Sequence, residues 1–401
     1  MEKVVVIGAG QAGASLVARL RASGFDGRIT LIGEEPFAPY QRPPLSKAYL
    51  LGEMERERLF LRPEAFYAEQ EIDLRLGTAV SAIDPAARRV ELEGETLTYD
   101  ALALTTGAAP VHLPAAIGGA LDGVHVVRSL SDIDRMQPEF AAGRRVLIVG
   151  GGYIGLEAAA VATKKGLEVT LLEAGERILQ RVASPRTSDY FRDLHRRHGV
   201  DLRERVGLET LTGTGHVSGA RLSDGSALEV DFVIVGIGVR PATALAEAAG
   251  LALENGIRVD ALGRTSDPAI WAAGDCASFP WQGGRIRLES VPNAIDMAEA
   301  VADNMLGADR PYVARPWFWS DQYDVKLQMA GLNSGYDTVV ERPGTAPGAV
   351  SFWYFQASRL LAVEAMNEPR AYMVGKRLIE AGASPDKAAV ADPGTDLKAL
   401  M

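Results

Sequence analysis

Two segments of the chain have glycines at the spacing that binds the phosphates of a dinucleotide. Each fits the pattern G-x-G-x-x-G, in which the first glycine permits a tight turn, the second admits a pyrophosphate to the backbone, and the third lets a helix pack closely on a strand. The two sets are Gly8, Gly10 and Gly13, and Gly150, Gly152 and Gly155. Because free N–H groups at a helix start favour an anion, the repeated pattern predicts two bound dinucleotides.

An acidic residue follows each glycine set near the distance typical of a ribose-binding acid. Glu173 lies 23 residues after Gly150, and Glu34 lies 26 residues after Gly8. A carboxylate at this position accepts a hydrogen bond from a ribose 2′-hydroxyl and repels a 2′-phosphate, so Glu173 predicts a preference for NAD over NADP. Arg177 is close enough in the sequence to weaken that preference.

Strand and helix patterns surround both glycine sets. Residues 3–7 and 145–149 are apolar runs typical of buried strands, and a helical pattern follows each of them. A further apolar strand at 231–235 ends in a glycine turn that includes Gly238. Ile154, within the second glycine set, and Gly238 complete the residues that we predict to bind the nicotinamide nucleotide.

Composition argues against several classes of function. The 401 residues are enough for two or three domains, and the net charge of −10 argues against a nucleic-acid-binding protein. The one cysteine, Cys276, permits no intrachain disulfide, no C-x-x-C pair and no cysteine-held metal cluster. His195 and His198 share one face of a helical pattern, but the arginines around them predict a solvated helix. No metal site is predicted.

The sequence carries no pattern for export or for membrane insertion. The first residues lead into a strand without the features of a signal peptide. No apolar run approaches the roughly 18 residues that can span a bilayer. We therefore expect a cytoplasmic protein with no membrane partner.

Three more segments could contact a ligand. Prolines in residues 36–47 predict a rigid loop that excludes a helix, and its cations, Arg42 and Lys47, could lie beside a cofactor or be solvated at the surface. Asp275 follows an apolar strand and could bind a sugar-alcohol hydroxyl or close an ordinary Asp turn. A helix that starts near Val291 could stabilise negative charge on a ligand.

The composition changes to aromatic from about residue 315. The alternation of Trp317, Phe318 and Trp319 predicts that one tryptophan faces a domain core and the other faces a cofactor. A hairpin across residues 356–358, followed by a helix, predicts a small α+β domain at the carboxyl end.

Together these motifs resemble those of the FAD-dependent ferredoxin reductases that serve bacterial oxygenases and haem-thiolate monooxygenases. The resemblance covers essentially the whole chain, and its most selective parts are Arg-Pro-Pro-Leu-Ser-Lys at 42–47 and Pro-Trp-Phe-Trp-Ser-Asp-Gln at 316–322. The predicted fold class is α/β, with two Rossmann-like dinucleotide-binding domains in a glutathione-reductase-like architecture and the C-terminal α+β domain. The predicted boundaries are 1–110 with 237–314 for the FAD-binding domain, 111–236 for the NAD-binding domain and 315–401 for the C-terminal domain.

The resemblance implies FAD and NADH as cofactors and assigns residues to them. The residues matched to FAD contacts are Ala12, Glu34, Arg42, Lys47, Val80, Arg128, Asp275 and Val291. Trp319 is expected near the isoalloxazine ring, and Lys47 is expected beside the N5 edge of that ring in a pair with Glu157. Lys47, Glu157 and Trp319 are therefore predicted to tune the reaction.

The resemblance also implies an activity and a partner. A hydride passes from NADH to FAD, and single electrons then pass to a 2Fe–2S ferredoxin that feeds a monooxygenase or dioxygenase. One alternative is an enzyme of the same fold, either a rubredoxin reductase or an NADH oxidase. Another is a redox-signalling flavoprotein that resembles apoptosis-inducing factor.

Overall fold

The computed structural model of the chain describes residues 1–401 and divides them into two units. The first unit consists of Met1–Gln41, Arg56–Ala109 and Val239–Pro316. The second unit consists of Arg42–Glu55, Pro110–Gly238 and Trp317–Met401. It therefore joins the predicted NAD-binding and C-terminal segments and also contains residues 42–55. The division into three domains stays a prediction.

A five-stranded parallel sheet forms the centre of the first unit. Its strands, in order across the sheet, are Ile270–Ala272, Ala101–Leu104, Lys3–Ile7, Arg28–Ile32 and Ile72–Arg75. Ile7 pairs with both Ile32 and Leu104, and all three side chains are buried. Apolar residues on both faces are expected where a parallel sheet is covered on both sides. The first glycine turn follows directly from the central strand.

Helices and two small sheets complete the first unit. The helices are Gln11–Ala22, Glu64–Glu69, Ala244–Ala248 and Val291–Met305, and the first and last of these pack against each other. One three-stranded sheet contains Val80–Asp84, Arg89–Leu92 and Glu95–Thr98. The other contains Ile257–Arg258, Ala277–Trp281 and Gly284–Ile286.

The second unit repeats the strand–turn–helix–strand pattern of the first. Its parallel sheet has the order Asp201–Glu204, Glu168–Glu173, Arg145–Val149, Phe232–Val235 and Val124–Val126. The helices of this part are Leu130–Met136, Tyr153–Lys164 and Pro185–Arg197. An antiparallel sheet of Leu208–Thr214, His216–Leu222 and Ala227–Glu229 adds to it.

The carboxyl end of the chain forms an antiparallel sheet with a helix packed on it. The strand order is Trp317–Gln322, Val325–Gly331, Arg359–Met366, Val350–Gln356 and Thr338–Pro343. The helix Pro369–Ala381 approaches this sheet closely, since a Cβ at Gly375 would lie 2.5 Å from Val363. The predicted hairpin is present, because its two strands are joined by Ala357 and Ser358. The C-terminal α+β fold is confirmed.

The remaining elements are short. They are the strands Ala108–Pro110 and Val239–Pro241, the helix Lys387–Ala391, and single turns at Leu45–Tyr49, Arg56–Leu59, Ala115–Ile117, Gln137–Glu139, Gly274–Cys276 and Leu397–Leu400. Among all the helices, none has the length and apolarity that crossing a bilayer requires.

A buried carboxyl connects the C-terminal sheet to the helix Pro185–Arg197. Glu364 is 1% exposed and accepts hydrogen bonds from the hydroxyls of Thr187 and Tyr354 and from the side-chain amide of Asn333. Burial raises the pKa of Glu364 to about 7, because the charged form loses its hydration. This carboxyl therefore exchanges a proton near neutral pH.

We expect the free energy of unfolding to decrease as pH rises from about 4.5 to about 7 through the titration of Glu364. The pKa of this group in the folded protein lies above its ordinary value of 4.5. The contribution of Glu364 to the free energy of unfolding is therefore complete below pH 4.5 and is lost as pH rises through the folded-state pKa. The total loss is at most about 3 kcal/mol.

Urea denaturation of the wild type and of Glu364→Gln between pH 5 and pH 8 measures this slope. The neutral amide should remove it. Glu341→Gln is the matched control, because Glu341 is exposed and pairs only loosely with Arg186, at 3.6 Å. Equal slopes in the wild type and in Glu364→Gln would contradict the prediction.

Candidate dinucleotide sites and the Lys47–Glu157 pair

The first glycine turn has a backbone that only glycine can adopt. Gly8 has φ of +112°, and a Cβ there would lie 2.2 Å from the backbone oxygen of Thr105. A Cβ at Gly13 would lie 2.0 Å from the backbone oxygen of Gly8. Gly10 has nothing within 4 Å of the Cβ position, so the start of the helix Gln11–Ala22 is open. These are the three roles that the spacing predicts for a dinucleotide turn.

Three of the predicted FAD-contact regions meet beside this turn. A Cβ at Gly274 would lie 3.0 Å from Cβ of Ala12 and 3.9 Å from Cα of Ala294, so the turn that carries Asp275 lies against both helices. The second of these helices starts at Val291, one of the predicted contacts. The first unit therefore brings Ala12, Asp275 and Val291 into one region.

Glu34 and Val80 have different surroundings in the first unit. Glu34 is exposed just after the strand Arg28–Ile32, and the neighbouring Gly33 packs against Ala9 of the glycine turn, since a Cβ there would lie 2.6 Å from that of Ala9. The Glu34 carboxylate is thus available to a ribose near the turn. Val80 begins its strand and packs against the core of the first unit.

The second glycine turn repeats the first in detail. Gly150 has φ of +111°, and a Cβ there would lie 2.4 Å from the backbone oxygen of Gly236. A Cβ at Gly155 would lie 2.1 Å from the backbone oxygen of Gly150, whereas Gly152 has nothing within 4 Å. Close backbone contacts therefore leave no room for a side chain at Gly150 or Gly155, whereas the space at Gly152, where the helix starts, is empty.

The helices that follow the two glycine turns lack side-chain caps. The helices that begin after Ser129, Ser184 and Ser290 are each capped by that serine hydroxyl. Gly10 and Gly152 hold the same position before their helices and supply no side chain. The first N–H groups of these two helices therefore remain as donors for an anion. This pattern fits the diphosphate groups of two dinucleotides.

Backbone N–H groups fix the position of Glu173. Its carboxylate accepts hydrogen bonds from the N–H groups of Gly151, at 2.9 Å, and Gly175, at 2.7 Å. Each oxygen keeps a lone pair for a ribose hydroxyl. Arg177, which the sequence suggested as a competing attraction for a 2′-phosphate, donates instead to the Ser188 hydroxyl and to the backbone oxygen of Ala183. These contacts occupy Arg177, and the preference for NAD over NADP stays a prediction.

Two further predicted residues lie around the second turn. Ile154 is 44% exposed at the start of the helix Tyr153–Lys164, so its side chain can contact a ligand. Gly238 has φ of +111°, and a Cβ there would lie 3.3 Å from the guanidinium of Arg181. Both positions remain predictions as nucleotide contacts.

Lys47 and Glu157 form an ion pair in the second unit. Nζ of Lys47 lies 3.0 Å from Oε1 of Glu157 and 3.5 Å from Oδ2 of Asp321. Glu157 is 4% exposed and also accepts hydrogen bonds from the hydroxyls of Ser320, at 2.7 Å, and Ser46, at 3.2 Å. Burial raises the pKa of Glu157, while Lys47 and the two hydroxyls act in the opposite direction. The pairing proposed from the resemblance is therefore present.

The local backbone at Lys47 differs from the expected loop. Leu45–Tyr49 is a helical turn, interrupted at Lys47, where φ is −131° and ψ is −111°. The prediction that the prolines exclude a helix through residue 47 is wrong, because Pro44 precedes the turn and a proline at a helix start costs no hydrogen bond. The turn aims Lys47 at Glu157.

Arg42, Arg128 and Trp319 also belong to the second unit. Nη1 of Arg42 donates to the backbone oxygen of Arg128 at 2.7 Å. Trp319 stacks on Trp317 with ring centroids 5.5 Å apart, and Phe318 faces Tyr153 instead. Residues two apart on a strand share one face, so the two tryptophan rings lie side by side. Trp317 packs against the C-terminal core, as predicted for one of the two tryptophans, and the expectation that Trp319 faces a cofactor stays a prediction.

Sequence reasoning missed three residues of the Lys47–Glu157 site. Ser46, Ser320 and Asp321 all contact the pair, yet none was assigned a role. The signal that could have found them was their position inside the two most selective motifs, 42–47 and 316–322.

Comparison with known proteins identifies the family. Residues 2–298 match the family model for pyridine nucleotide-disulphide oxidoreductases, and residues 317–401 match the reductase C-terminal model. This chain belongs to the pyridine nucleotide-disulphide oxidoreductases. The family uses FAD and a nicotinamide nucleotide, so the predicted cofactors, the predicted enzyme class and the fold class are confirmed.

Relatives within the family are similar over their whole length. Rhodocoxin reductase of Rhodococcus erythropolis is 44% identical over 98% of this chain and 93% of its own. A ferredoxin–NAD(P)+ reductase of Sphingomonas sp. is 44% identical over 99% of this chain and 97% of its own. The crystal structure of the covalent putidaredoxin reductase–putidaredoxin complex matches with a TM-score of 0.96 at 40% identity and covers 100% of this chain and 98% of that one. The resemblance to ferredoxin reductases is therefore confirmed.

Proposed function

We propose that this chain is an NADH-dependent ferredoxin reductase that passes electrons through FAD to a 2Fe–2S ferredoxin. The observation that carries the proposal is the end-to-end similarity to reductases whose names specify a ferredoxin or redoxin partner. That similarity includes the C-terminal region, which supplies Ser320 and Asp321 to the Lys47–Glu157 site. FAD, when bound, accepts a hydride and releases electrons one at a time.

The residues of the first unit fit the adenosine and diphosphate parts of FAD. The uncapped start of the helix after Gly10 offers N–H groups to phosphate oxygens. Glu34 offers an exposed carboxylate to a ribose, and the turn with Asp275 lies beside the same helix through Ala12. A Cβ at Gly8 or Gly13 would collide with backbone, so the turn keeps the shape that a diphosphate needs.

The second glycine turn fits NADH. The open helix start after Gly152 offers N–H groups to the diphosphate, and Glu173 is held in place to accept from ribose hydroxyls. Arg177 donates into its own loop, to the Ser188 hydroxyl and the backbone oxygen of Ala183, which leaves it less able to bind a 2′-phosphate. We therefore assign the preference for NADH to these contacts.

Lys47 is the cation that the family resemblance assigns to the flavin. Its ammonium is held by Glu157 and Asp321, and a positioned cation stabilises negative charge as that charge develops. Arg42 is held by the backbone of Arg128, which gives a second positioned cation in the same unit. In this proposal the protein binds, orients and stabilises charge, and it needs no acid–base residue for hydride transfer.

NADH-driven reduction of cytochrome c by the FAD-loaded protein, with and without an added 2Fe–2S ferredoxin, tests the proposal. We expect strong stimulation by the ferredoxin with NADH and little with NADPH. Rapid oxygen uptake without any protein acceptor would indicate an NADH oxidase, and stimulation by rubredoxin alone would indicate a rubredoxin reductase. Slow turnover with every acceptor, together with NADH-dependent assembly, would favour a signalling flavoprotein.

We also propose that the enzyme works in the cytoplasm, where NADH is available to it. The single cysteine is buried and free, as suits a chain that needs no disulfide. Cell fractionation with an antibody to the chain tests this location, and recovery of the chain in a membrane or periplasmic fraction would contradict it.

A further inference from the structure

A row of hydrogen bonds runs from Glu157 to Tyr323, and we call it the Gln322 row. The Ser320 hydroxyl donates to Glu157 at 2.7 Å and lies 3.1 Å from Nε2 of Gln322. Oε1 of Gln322 lies 2.8 Å from Nε2 of His195, and Nδ1 of His195 lies 3.2 Å from the Tyr323 hydroxyl. Ser320, Gln322 and His195 are each 0% exposed.

The position of His195 contradicts the expectation of a solvated helix. Arg196 and Arg197 are exposed, but His195 lies on the opposite side of the helix Pro185–Arg197 and is fully buried. The sequence pattern was dominated by the arginines, whereas the 3.6-residue period turns His195 inward. A buried polar ring needs partners, and Gln322 and Tyr323 supply them.

With Glu157 ionised, one direction of donation satisfies every group in the row. Ionised Glu157 can only accept, so Ser320 gives it its single proton and accepts from the amide of Gln322. The oxygen of Gln322 then accepts from Nε2–H of His195, whose Nδ1 accepts from the Tyr323 hydroxyl. Burial lowers the pKa of His195 to about 4, so the ring is neutral at neutral pH, as this arrangement requires. Four donors thus point toward Glu157 and polarise one another.

We propose that Gln322 and His195 are positioning residues for the Lys47–Glu157 pair, because they keep Ser320 as a donor to Glu157 and so keep that carboxyl ionised against Lys47. The consequence for the rate of flavin reduction rests on the proposed function. The ionisation of Glu157 itself does not, because it can be measured without a flavin. Neither Gln322 nor His195 touches a reacting atom, and both act through Ser320.

One cation and several neutral groups surround the carboxylate of Glu157. Lys47 faces Glu157 directly, and Asp321 faces it through Lys47 and competes for the same ammonium. Tyr153, on the same helix, is neutral because burial raises its pKa well above the ordinary value. Lys47 is therefore the one cation opposed to the buried carboxylate, and hydrogen bonds from neutral groups must supply the rest of its stabilisation.

The infrared band of a protonated carboxyl, followed against pH in the flavin-free protein, tests the inference. The band of Glu157 is the one that Glu157→Gln removes. We expect Gln322→Leu to raise the pKa of Glu157 by about one unit, which is a tenfold change in its protonation equilibrium. His195→Leu should shift it in the same direction. The pKa of Glu157 in His195→Gln should stay close to that in the wild type, because an amide N–H can replace Nε2–H.

In the FAD-loaded protein, the pH profile of flavin reduction by NADH should shift in the leucine variants by the same amount as the pKa of Glu157.

His198→Leu is the control for loss of a neighbouring histidine: its exposed ring stacks on Tyr323, with ring centroids 3.7 Å apart, but its hydrogen bond goes to the backbone oxygen of Leu194 and not to the row. Ser320→Ala makes the smallest change and keeps the test usable if the leucine variants do not fold. An unchanged Glu157 titration in Ser320→Ala and in the folded leucine variants would overturn the inference, and so would a lower melting temperature with no change in titration. Failure of the ferredoxin test in the wild type would overturn the proposed function alone.

Discussion

Replacement of Lys47 by methionine is expected to slow the reduction of bound flavin by NADH by about tenfold to a hundredfold. The same change should lower the free energy of unfolding by about 2 to 4 kcal/mol, because removing one partner of a buried ion pair leaves the other charge unpaired. Glu157 is 4% exposed and Lys47 is its only cationic partner within 4 Å. The rate falls because the positioned positive charge of Lys47 is lost. The stability falls because the buried carboxylate of Glu157 is left without its cation.

A double-mutant cycle separates these two effects. Glu157→Gln removes the buried charge, so Lys47→Met combined with Glu157→Gln should recover much of the lost stability but not the rate. Lys164→Met is the matched control, because Lys164 pairs with Glu53 while both side chains are more than half exposed, and exposed pairs contribute little. Wild-type rates of flavin reduction in Lys47→Met, measured by stopped-flow absorbance, would remove the role assigned to this lysine.

Glu173→Ala is expected to change the choice between NADH and NADPH. Hydrogen bonds to a charged acceptor contribute about 1.5 to 3 kcal/mol, so we expect the ratio of kcat/KM for NADH to that for NADPH to fall by about tenfold to a hundredfold. Loss of the carboxylate also frees the N–H groups of Gly151 and Gly175. Both nucleotides use the same glycine turn, so distortion of the turn would lower kcat/KM for NADH and for NADPH alike. Only the loss of the hydrogen bond to the ribose hydroxyl changes the ratio of the two.

Steady-state kinetics with both nucleotides and a single acceptor measures this ratio. Glu176→Ala is the control, because Glu176 is exposed near the same loop and its nearest cation, at 3.6 Å, is the exposed Arg205. An unchanged ratio in Glu173→Ala would show that discrimination lies elsewhere. A change of equal size in Glu176→Ala would show that the overall charge of the loop, and not the held carboxylate, decides the preference.

The glycine turns show how much local sequence can establish. Each glycine set demands a backbone that other residues cannot adopt, and the structure shows that backbone at Gly8 and at Gly150. Local sequence also predicted the apolar strands, the acids that follow them and the terminal hairpin, because these features depend on residues that are neighbours in the chain. The pairing of Lys47 with Glu157 came from the family resemblance and not from the residues themselves.

The tertiary structure decided which side chains meet across long separations in the sequence. Ser46 and Ser320 reach one carboxylate from distant segments, and His195 turns inward against Gln322. Arg177 is close to Glu173 in the sequence, but its guanidinium donates to Ser188 and to the backbone of Ala183. Composition and periodicity describe one element at a time, so they establish the turns and strands. The partner of a polar group depends on packing between elements, which only the folded chain defines.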